Sequence, residues 1–134
     1  MAKEGGMGAS FAVDDSAGVA RTISNDIVNA TLSTPRGVQD VTGVDKSAME
    51  RLLLLADFSG TLNGIFNDAA NMSHAVFKTV PSTSVNRTLT FGISGQTLAA
   101  EVLFTDYSLN RGADGGLPFT APFVLADGTV PTWS

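Results

Sequence analysis

The sequence predicts a mainly β fold, a β-sandwich or open barrel of about seven strands with one short flanking α-helix. Short stretches in which apolar and polar residues alternate follow one another along most of the chain, as in strands with one buried face. Only one segment has apolar residues at helical spacing. The 134 residues suit a single domain, and no second domain or internal repeat is visible.

The first third of the chain predicts an arm followed by strands. Residues 1–10 are rich in glycine and predict a flexible N-terminal arm, ahead of a β-rich domain over residues 11–130. Residues 11–13 form its first short strand. Residues 21–34 alternate as a strand or two and end at a proline and a glycine. Residues 38–42 are predicted to return as the second arm of a hairpin with that strand.

The middle of the chain predicts a strand and the helix. Residues 58–67 alternate as a strand with one buried face. Residues 71–80 have the helical pattern, with Asn71 or Ser73 as the N-terminal cap and Pro81 as the stop. The apolar face of this helix would consist of Met72, Ala75, Val76 and Thr79. So short a helix is unstable alone and should lie on the sheet.

The last third predicts a hairpin and one unusual strand. Residues 88–94 and 98–104 alternate on either side of a tight turn at Ser94, Gly95 and Gln96, which predicts a β-hairpin. In the alternating segment 117–125, Pro118 and Pro122 are four residues apart, so their backbone nitrogens face the same side of the strand. One side of that strand therefore lacks two N–H donors, which predicts a strand at a sheet edge or outside the sheet.

Composition excludes several kinds of function. The net charge is −5 and there is no run of basic residues, which argues against binding nucleic acid through its phosphates. The absence of cysteine excludes disulfides, thiolate metal sites and a cysteine nucleophile. The first ten residues lack the apolar core of a signal peptide, and the longest apolar run, residues 52–56, is too short to span a membrane. We therefore expect the protein to be made and kept in a cytoplasm.

Residues suited to catalysis are few, so we expect no enzyme and no cofactor. His74 is the only histidine, and no G-x-S-x-G motif offers it a serine nucleophile, so a structural or surface role is expected. Asp14 and Asp15 lack the spacing of a calcium loop. Residue types alone leave a paired-carboxylate glycosidase open, but one Trp and one Tyr are few for a sugar-binding cleft.

Two apolar features allow both a structural and an assembly interpretation. Met49 and the leucines Leu52, Leu53, Leu54 and Leu55 can fill the core, or they can form the apolar part of an assembly loop. Four consecutive leucines cannot all face one side of a strand. Trp133, next to the C-terminus, can pack on its own domain or anchor on a neighbour. Only 16% of residues are charged, which predicts a largely neutral surface of the kind that often contacts another copy.

The order and length of these segments resemble the tail tube proteins of bacteriophages with long, flexible, non-contractile tails. The resemblance covers most of the chain and depends on the order of the segments together with its length. The segments are FAVDD at 11–15, DIV at 26–28, PR at 35–36, FSGTLNGIF at 58–66, SHAVF at 73–77, EVLFTDY at 101–107, LPFTAPF at 117–123 and GTVPTW at 128–133.

The resemblance implies a structural virion protein made in the bacterial host cytoplasm. Six copies would close into a ring and rings would stack into a tube, with an assembly loop at 34–55 and arms at 1–10 and 131–134. The expected partners are further copies of the chain, a tape measure protein, and tail terminator and initiator proteins, with no membrane. DNA would pass through the lumen without specific binding, repelled by a negatively charged wall to which Asp40 and Glu101 contribute.

Two other functions remain open at the level of sequence. Another virion protein, for head–tail completion or capsid decoration, would have the same β-rich, cysteine-free and neutral composition. A carbohydrate-binding or hydrolytic β-sandwich would instead be a monomer with affinity for glycans.

Overall fold

The structure, a computed structural model, describes residue 3 and residues 5–134; the remaining positions of the predicted N-terminal arm, 1, 2 and 4, lie outside the described residues. The described chain is mainly β, as predicted, with one short helix and a 3-10 turn at Ser24–Asp26. The elements are β1 Ser10–Asp14, β2 Ala20–Thr22, β3 Ile27–Ser33, β4 Arg36–Asp40, β5 Arg51–Ala56, β6 Ser59–Ile65, α1 Ser73–Phe77, β7 Arg87–Ile93, β8 Gln96–Phe104, β9 Ser108–Leu109, β10 Pro118–Leu125 and β11 Thr132–Trp133.

One large antiparallel sheet forms the body of the molecule. Its strands follow the order β2-β1-β7-β8-β10-β6-β3, while β11 pairs with β8 and β9 pairs with β10. The strands at the two ends of this order, β2 and β3, are joined only by residues 23–26. The sheet must therefore curl until its ends approach each other, which gives an open barrel. Strands β4 and β5 form a separate two-stranded sheet.

The core lies inside the curled sheet and is covered by α1. Val76 and Phe77 of the helix are fully buried. The Phe77 ring packs against three aromatic rings with centroids 5.0 to 5.5 Å away, those of Phe104, Tyr107 and Phe119. The remaining buried apolar residues come from the sheet and the segments joining its strands: Phe11, Val13, Ile23, Phe58, Leu62, Leu89, Leu98, Val102, Phe119, Ala121 and Phe123.

The helix is shorter than predicted, and its N-terminus is capped differently. Neither Asn71 nor Ser73 caps it: Asn71 has a φ of 65°, and Ser73 is the first helical residue. Instead, Oδ2 of the buried Asp26 accepts a hydrogen bond of 3.0 Å from the Ser73 N–H. A carboxylate distant in sequence thus satisfies the free donor, which the local pattern could not indicate.

The predicted hairpin of residues 88–94 and 98–104 is confirmed by β7 and β8. Ser94 and Gly95 form its two-residue turn, with φ values of 51° and 78°. Two positive φ values are typical of a type I′ turn, whose twist matches that of the paired strands.

Two predictions about strand pairing are wrong. Residues 38–42 do not form a hairpin with β3: β3 pairs with β6, and β4 pairs with β5. Every residue of β4 is exposed, so it has no buried face to hold it in the main sheet. The proline-containing strand β10 is not at an edge either, since it lies between β6 on one side and β8 and β9 on the other.

Candidate assembly surface

The β4–β5 hairpin, which we call the leucine hairpin, exposes its leucines. The exposed fractions are 55% for Leu52, 60% for Leu53, 43% for Leu54 and 91% for Leu55, and Met49 in the connecting loop is also exposed. These side chains do not fill the core, which removes the structural interpretation of the leucine run. Contiguous exposed apolar residues of this kind are typical of an interaction site.

The leucine hairpin is an ordered element held together at both ends. The Arg36 guanidinium donates to the Leu54 carbonyl oxygen at 2.9 and 2.7 Å. At the base, the Asp57 N–H donates to the Pro35 carbonyl oxygen at 3.1 Å. Near the tip, Thr42 Oγ1 accepts the Glu50 N–H at 2.7 Å. The apolar side chains are therefore presented on a defined framework.

Asp40, predicted to face a lumen, lies at the end of β4 on this hairpin. Its Oδ1 accepts from Thr42 Oγ1 at 2.6 Å and from the Thr42 N–H at 2.9 Å. These two hydrogen bonds, the side-chain one first, lower the pKa of the Asp40 carboxyl below its usual value. The residue therefore carries its negative charge at neutral pH on an exposed position outside the main sheet.

Glu101, the other predicted lumen acid, lies on the main sheet. It is opposite Thr88 in the β7–β8 ladder, and Thr88 Oγ1 donates to Glu101 Oε1. Its side chain points away from the core, since the neighbours Ala100 and Val102 face inward. The structure therefore places Asp40 and Glu101 on different sheets.

The outward surface of β3, β6 and β10, which we call the polar face, is rich in uncharged hydroxyl and amide groups. Asn63 Nδ2 donates to Asn29 Oδ1 at 2.7 Å, and Thr120 Oγ1 donates to Asn63 Oδ1 at 2.9 Å, so these polar groups bridge all three strands. Neighbouring cross-strand pairs such as Thr31 and Thr61 continue the surface. None of the residues 27–33, 59–65 and 118–125 is charged.

A groove, which we call the seam groove, remains where the two ends of the curled sheet approach each other. Its volume is about 410 Å³. It runs between the free edge of β3 and the segment leading into β1. Its apolar lining includes Ala9, Phe11, Ile27, Ala30, Leu32 and Phe91. The sequence analysis did not predict this groove, because its walls come from strands that are distant in sequence. The absence of charge along β3 was the one feature of the sequence that could have indicated it.

Trp133 packs on its own domain but remains half open to solvent. It pairs with Leu98 in the β8–β11 ladder, and Thr97 and Ser134 exchange two hydrogen bonds of 2.8 Å. Its ring makes an edge contact with Phe91 at a centroid distance of 6.1 Å, yet 52% of the residue is exposed. In the single chain, the predicted C-terminal arm is thus a short strand of the sheet.

His74 helps pack α1 against the sheet. Its Nδ1 is 3.2 Å from the Tyr107 hydroxyl, and its ring lies 4.7 Å from that of Phe66. Burial raises the pKa of Tyr107, with the charge of Asp26 adding to the effect. A phenol partner and an aromatic neighbour do not supply the serine and carboxylate of a hydrolytic triad. Within residues 3 and 5–134, no three His, Cys, Asp or Glu side chains cluster closely enough to hold a metal ion.

No helix among the described residues is both long and apolar enough to cross a membrane.

Comparisons with known proteins identify the fold through structure and not through sequence. No family model and no curated protein sequence matches the chain. A chain in the solved virion of a native gene transfer agent particle matches with a TM-score of 0.75 and 14% identity, over 99% of each chain. A chain in the tail of an empty gene transfer agent particle, solved with C6 symmetry, matches with a TM-score of 0.73 and 15% identity, over 98% of this chain and 99% of that one. The fold is therefore shared over the full length of both.

Proposed function

We propose that this chain is a non-enzymatic structural protein of a phage-like virion, which forms hexameric rings that stack into a tail tube. The observation that carries the proposal is the leucine hairpin, a hydrogen-bonded element whose apolar side chains are exposed in the part of the chain that the structure describes. Another copy is the natural cover in a protein that works by assembly. The shared fold with a chain of a C6-symmetric tail, and the resemblance to tail tube proteins, support the same proposal.

In this proposal the polar face lines the lumen through which DNA passes into the host. Hydroxyl and amide groups bridged across β3, β6 and β10 form a hydrated wall without basic residues. The net charge of −5 on every copy makes the tube negative, so DNA is repelled and not held. We assign Glu101, on β8 next to β10, to the margin of this wall and Asp40, on the leucine hairpin, to the junction between rings.

The remaining partners follow from the same proposal. A tail tube needs a tape measure protein inside it and initiator and terminator proteins at its ends. The assembly loop at 34–55 would contact neighbouring copies both within a ring and in the next ring. The terminal segments 1–10 and 131–134 would contact the next ring, with Met49 and Trp133 as apolar anchors beside the four leucines.

Negative-stain microscopy and light scattering of the purified protein test the proposal. We expect stacked rings for the natural chain, and folded monomers for the double variant Leu53→Ser/Leu55→Ser. Leu109→Ser, which changes an exposed leucine on β9 outside the hairpin, is the matched control and should still assemble. Isolated rings that never stack would favour a head–tail completion or capsid decoration protein. A natural chain that stays monomeric at every concentration would overturn the proposal.

A further inference from the structure

The two end strands of the large sheet differ in how well they are protected against pairing with another chain. β2 has three residues, and its Arg21 is engaged by Asp15, with Arg21 Nε 3.2 Å from Asp15 Oδ2. β3 has seven residues without charge or proline, and within residues 3 and 5–134 its only partner strand is β6. A long uncharged free edge is a template for another strand, whereas a short charged edge is not.

The seam groove lies directly beside the free edge of β3. Phe11 and Phe91 lie in contact along it, with ring centroids 5.0 Å apart, and Leu32 contributes from β3. A strand added to β3 would send every second side chain to the groove side. The occupant should therefore be an extended segment that is neutral and carries large aliphatic side chains.

Strand β5 has the properties that the groove requires. It is six residues long and, among the described strands, pairs with β4 alone. It carries leucines at four consecutive positions, so that two of them face each side. Residues 52–56 have no charge, like β3 itself. The donor edge and the acceptor edge are different surfaces, and a head-to-tail contact of this kind forms closed rings when its rotation closes.

We propose that β5 of one copy adds as a strand to the free edge of β3 in the next copy and places alternate leucines in the seam groove. The inference rests on the proposed function, because it names the contact by which neighbouring copies join. It accounts for the four consecutive leucines: one pair enters the groove and the other pair covers the outer side of the same contact.

Disulfide cross-linking tests this contact cleanly, because the natural chain has no cysteine. Val28 lies at the β3 bulge beside the groove and is 63% exposed. The double variants Val28→Cys/Leu53→Cys and Val28→Cys/Leu54→Cys sample the two sides of β5. After mild oxidation of assembled protein, we expect a ladder of covalent multimers from at least one of them. Val28→Cys/Val19→Cys places the second cysteine at an exposed position of the β1–β2 turn and should give no ladder.

The outcomes separate this contact from the proposed function. If microscopy shows tubes but neither leucine variant gives a ladder, the contact is wrong while the tube stands. If Val28→Cys/Trp133→Cys gives the ladder in place of the leucine variants, the C-terminal strand is the occupant, and the contact is again wrong. If the natural chain forms no rings or tubes, both the contact and the proposed function fall.

Discussion

Arg87 shows how a single buried charge holds distant segments together. Its side chain is fully buried, and its guanidinium donates to the carbonyl oxygens of Asp14 and Val76, both at 3.0 Å, and to Thr79 Oγ1 at 2.9 Å. Burial lowers the pKa of Arg87, opposed by the nearby charges of Asp15 and Asp14. β1 and the helical segment are therefore joined through one side chain that the sequence pattern did not single out.

Replacing this arginine should be costly. Arg87→Met leaves the buried Val76 carbonyl oxygen and the part-buried Asp14 carbonyl oxygen without their donor. We therefore expect a loss of about 3 kcal/mol in the free energy of unfolding, measured by urea denaturation. Arg21→Met removes a partly exposed partner of Asp15 and should cost at most about 1 kcal/mol. Equal losses in the two variants would contradict the role assigned to Arg87.

Asp15 makes the stability of the fold depend on pH in the acid range. The hydrogen bond from the Val19 N–H is the main cause that lowers the pKa of this carboxyl; burial opposes it, and the Ala17 N–H and Arg21 add to the lowering. A carboxylate whose pKa is lowered in the folded state stabilises the fold at pH values above its unfolded pKa of about 4. That stabilisation is lost as the pH falls through the folded-state pKa.

The corresponding variant is Asp15→Asn. We expect it to be less stable than the natural chain at pH 7, with a smaller loss of stability on acidification from about pH 5 to pH 2. Urea denaturation across this range measures both effects. Asp45→Asn, in the exposed loop of the leucine hairpin, should follow the natural chain. A curve for Asp15→Asn that runs parallel to that of the natural chain would contradict the pKa direction.

At the scale of elements, two glycines let β6 fit between its neighbours. Gly60 lies opposite Phe123 and Gly64 opposite Phe119 in the β6–β10 ladder. A Cβ at Gly60 would collide with the Thr31 carbonyl oxygen and lie 2.8 Å from the Phe123 ring. Gly64 is equally restricted, by the Asp26 carbonyl oxygen and the Phe119 ring.

Adding a methyl group at either glycine should therefore strain the sheet. We expect Gly60→Ala to lower the free energy of unfolding by about 2 kcal/mol or more, measured by urea denaturation. Gly5→Ala is the matched control, since a Cβ there meets no atom of the described residues within 4 Å, and it should change stability by less than about 0.5 kcal/mol. A neutral Gly60→Ala would show that the sheet is looser at β6 than its geometry indicates.

The sequence predicted elements well where the information is local. β6, β7 and β8 have clean alternation, and the β7–β8 turn has its Gly95 in place. The partner of β3 could not be predicted, because alternation indicates which face is buried but not which strand lies alongside. The two prolines of β10 were read correctly as a loss of donors on one side. The prediction that β10 lies at an edge was wrong, because β8 and β9 each cover only part of the side that lacks the donors. On that side the carbonyl oxygens of Pro122 and Pro118 still accept hydrogen bonds, from the N–H groups of Thr105 and Asn110 at 3.1 Å.

The site was predictable only in part for the same reason. The run of leucines was visible as an assembly candidate, and the structure shows it exposed. The seam groove exists only because the sheet curls, bringing residues near 9–11 beside residues 27–32. Such closure depends on the whole strand order, which no local pattern contains.

At the scale of the whole molecule, the N-terminal segment should matter for assembly and not for folding. Deleting residues 1–8 leaves β1 complete. We expect this variant to keep the thermal unfolding midpoint of the natural chain while losing the ability to stack rings, as seen by negative-stain microscopy. Normal tubes from the truncated chain would show that this segment is not a contact between rings.

The central claim is that a neighbouring copy covers the leucine hairpin. Amide hydrogen exchange tests it most directly, by comparing the assembled protein with the monomeric variant Leu53→Ser/Leu55→Ser. Backbone N–H groups on the free edges of β3 and β5 should exchange quickly in the monomer and become protected in the assembly, while the paired strands β7 and β8 change little. Fast exchange along β5 in both samples would mean that the hairpin stays uncovered and would contradict the account.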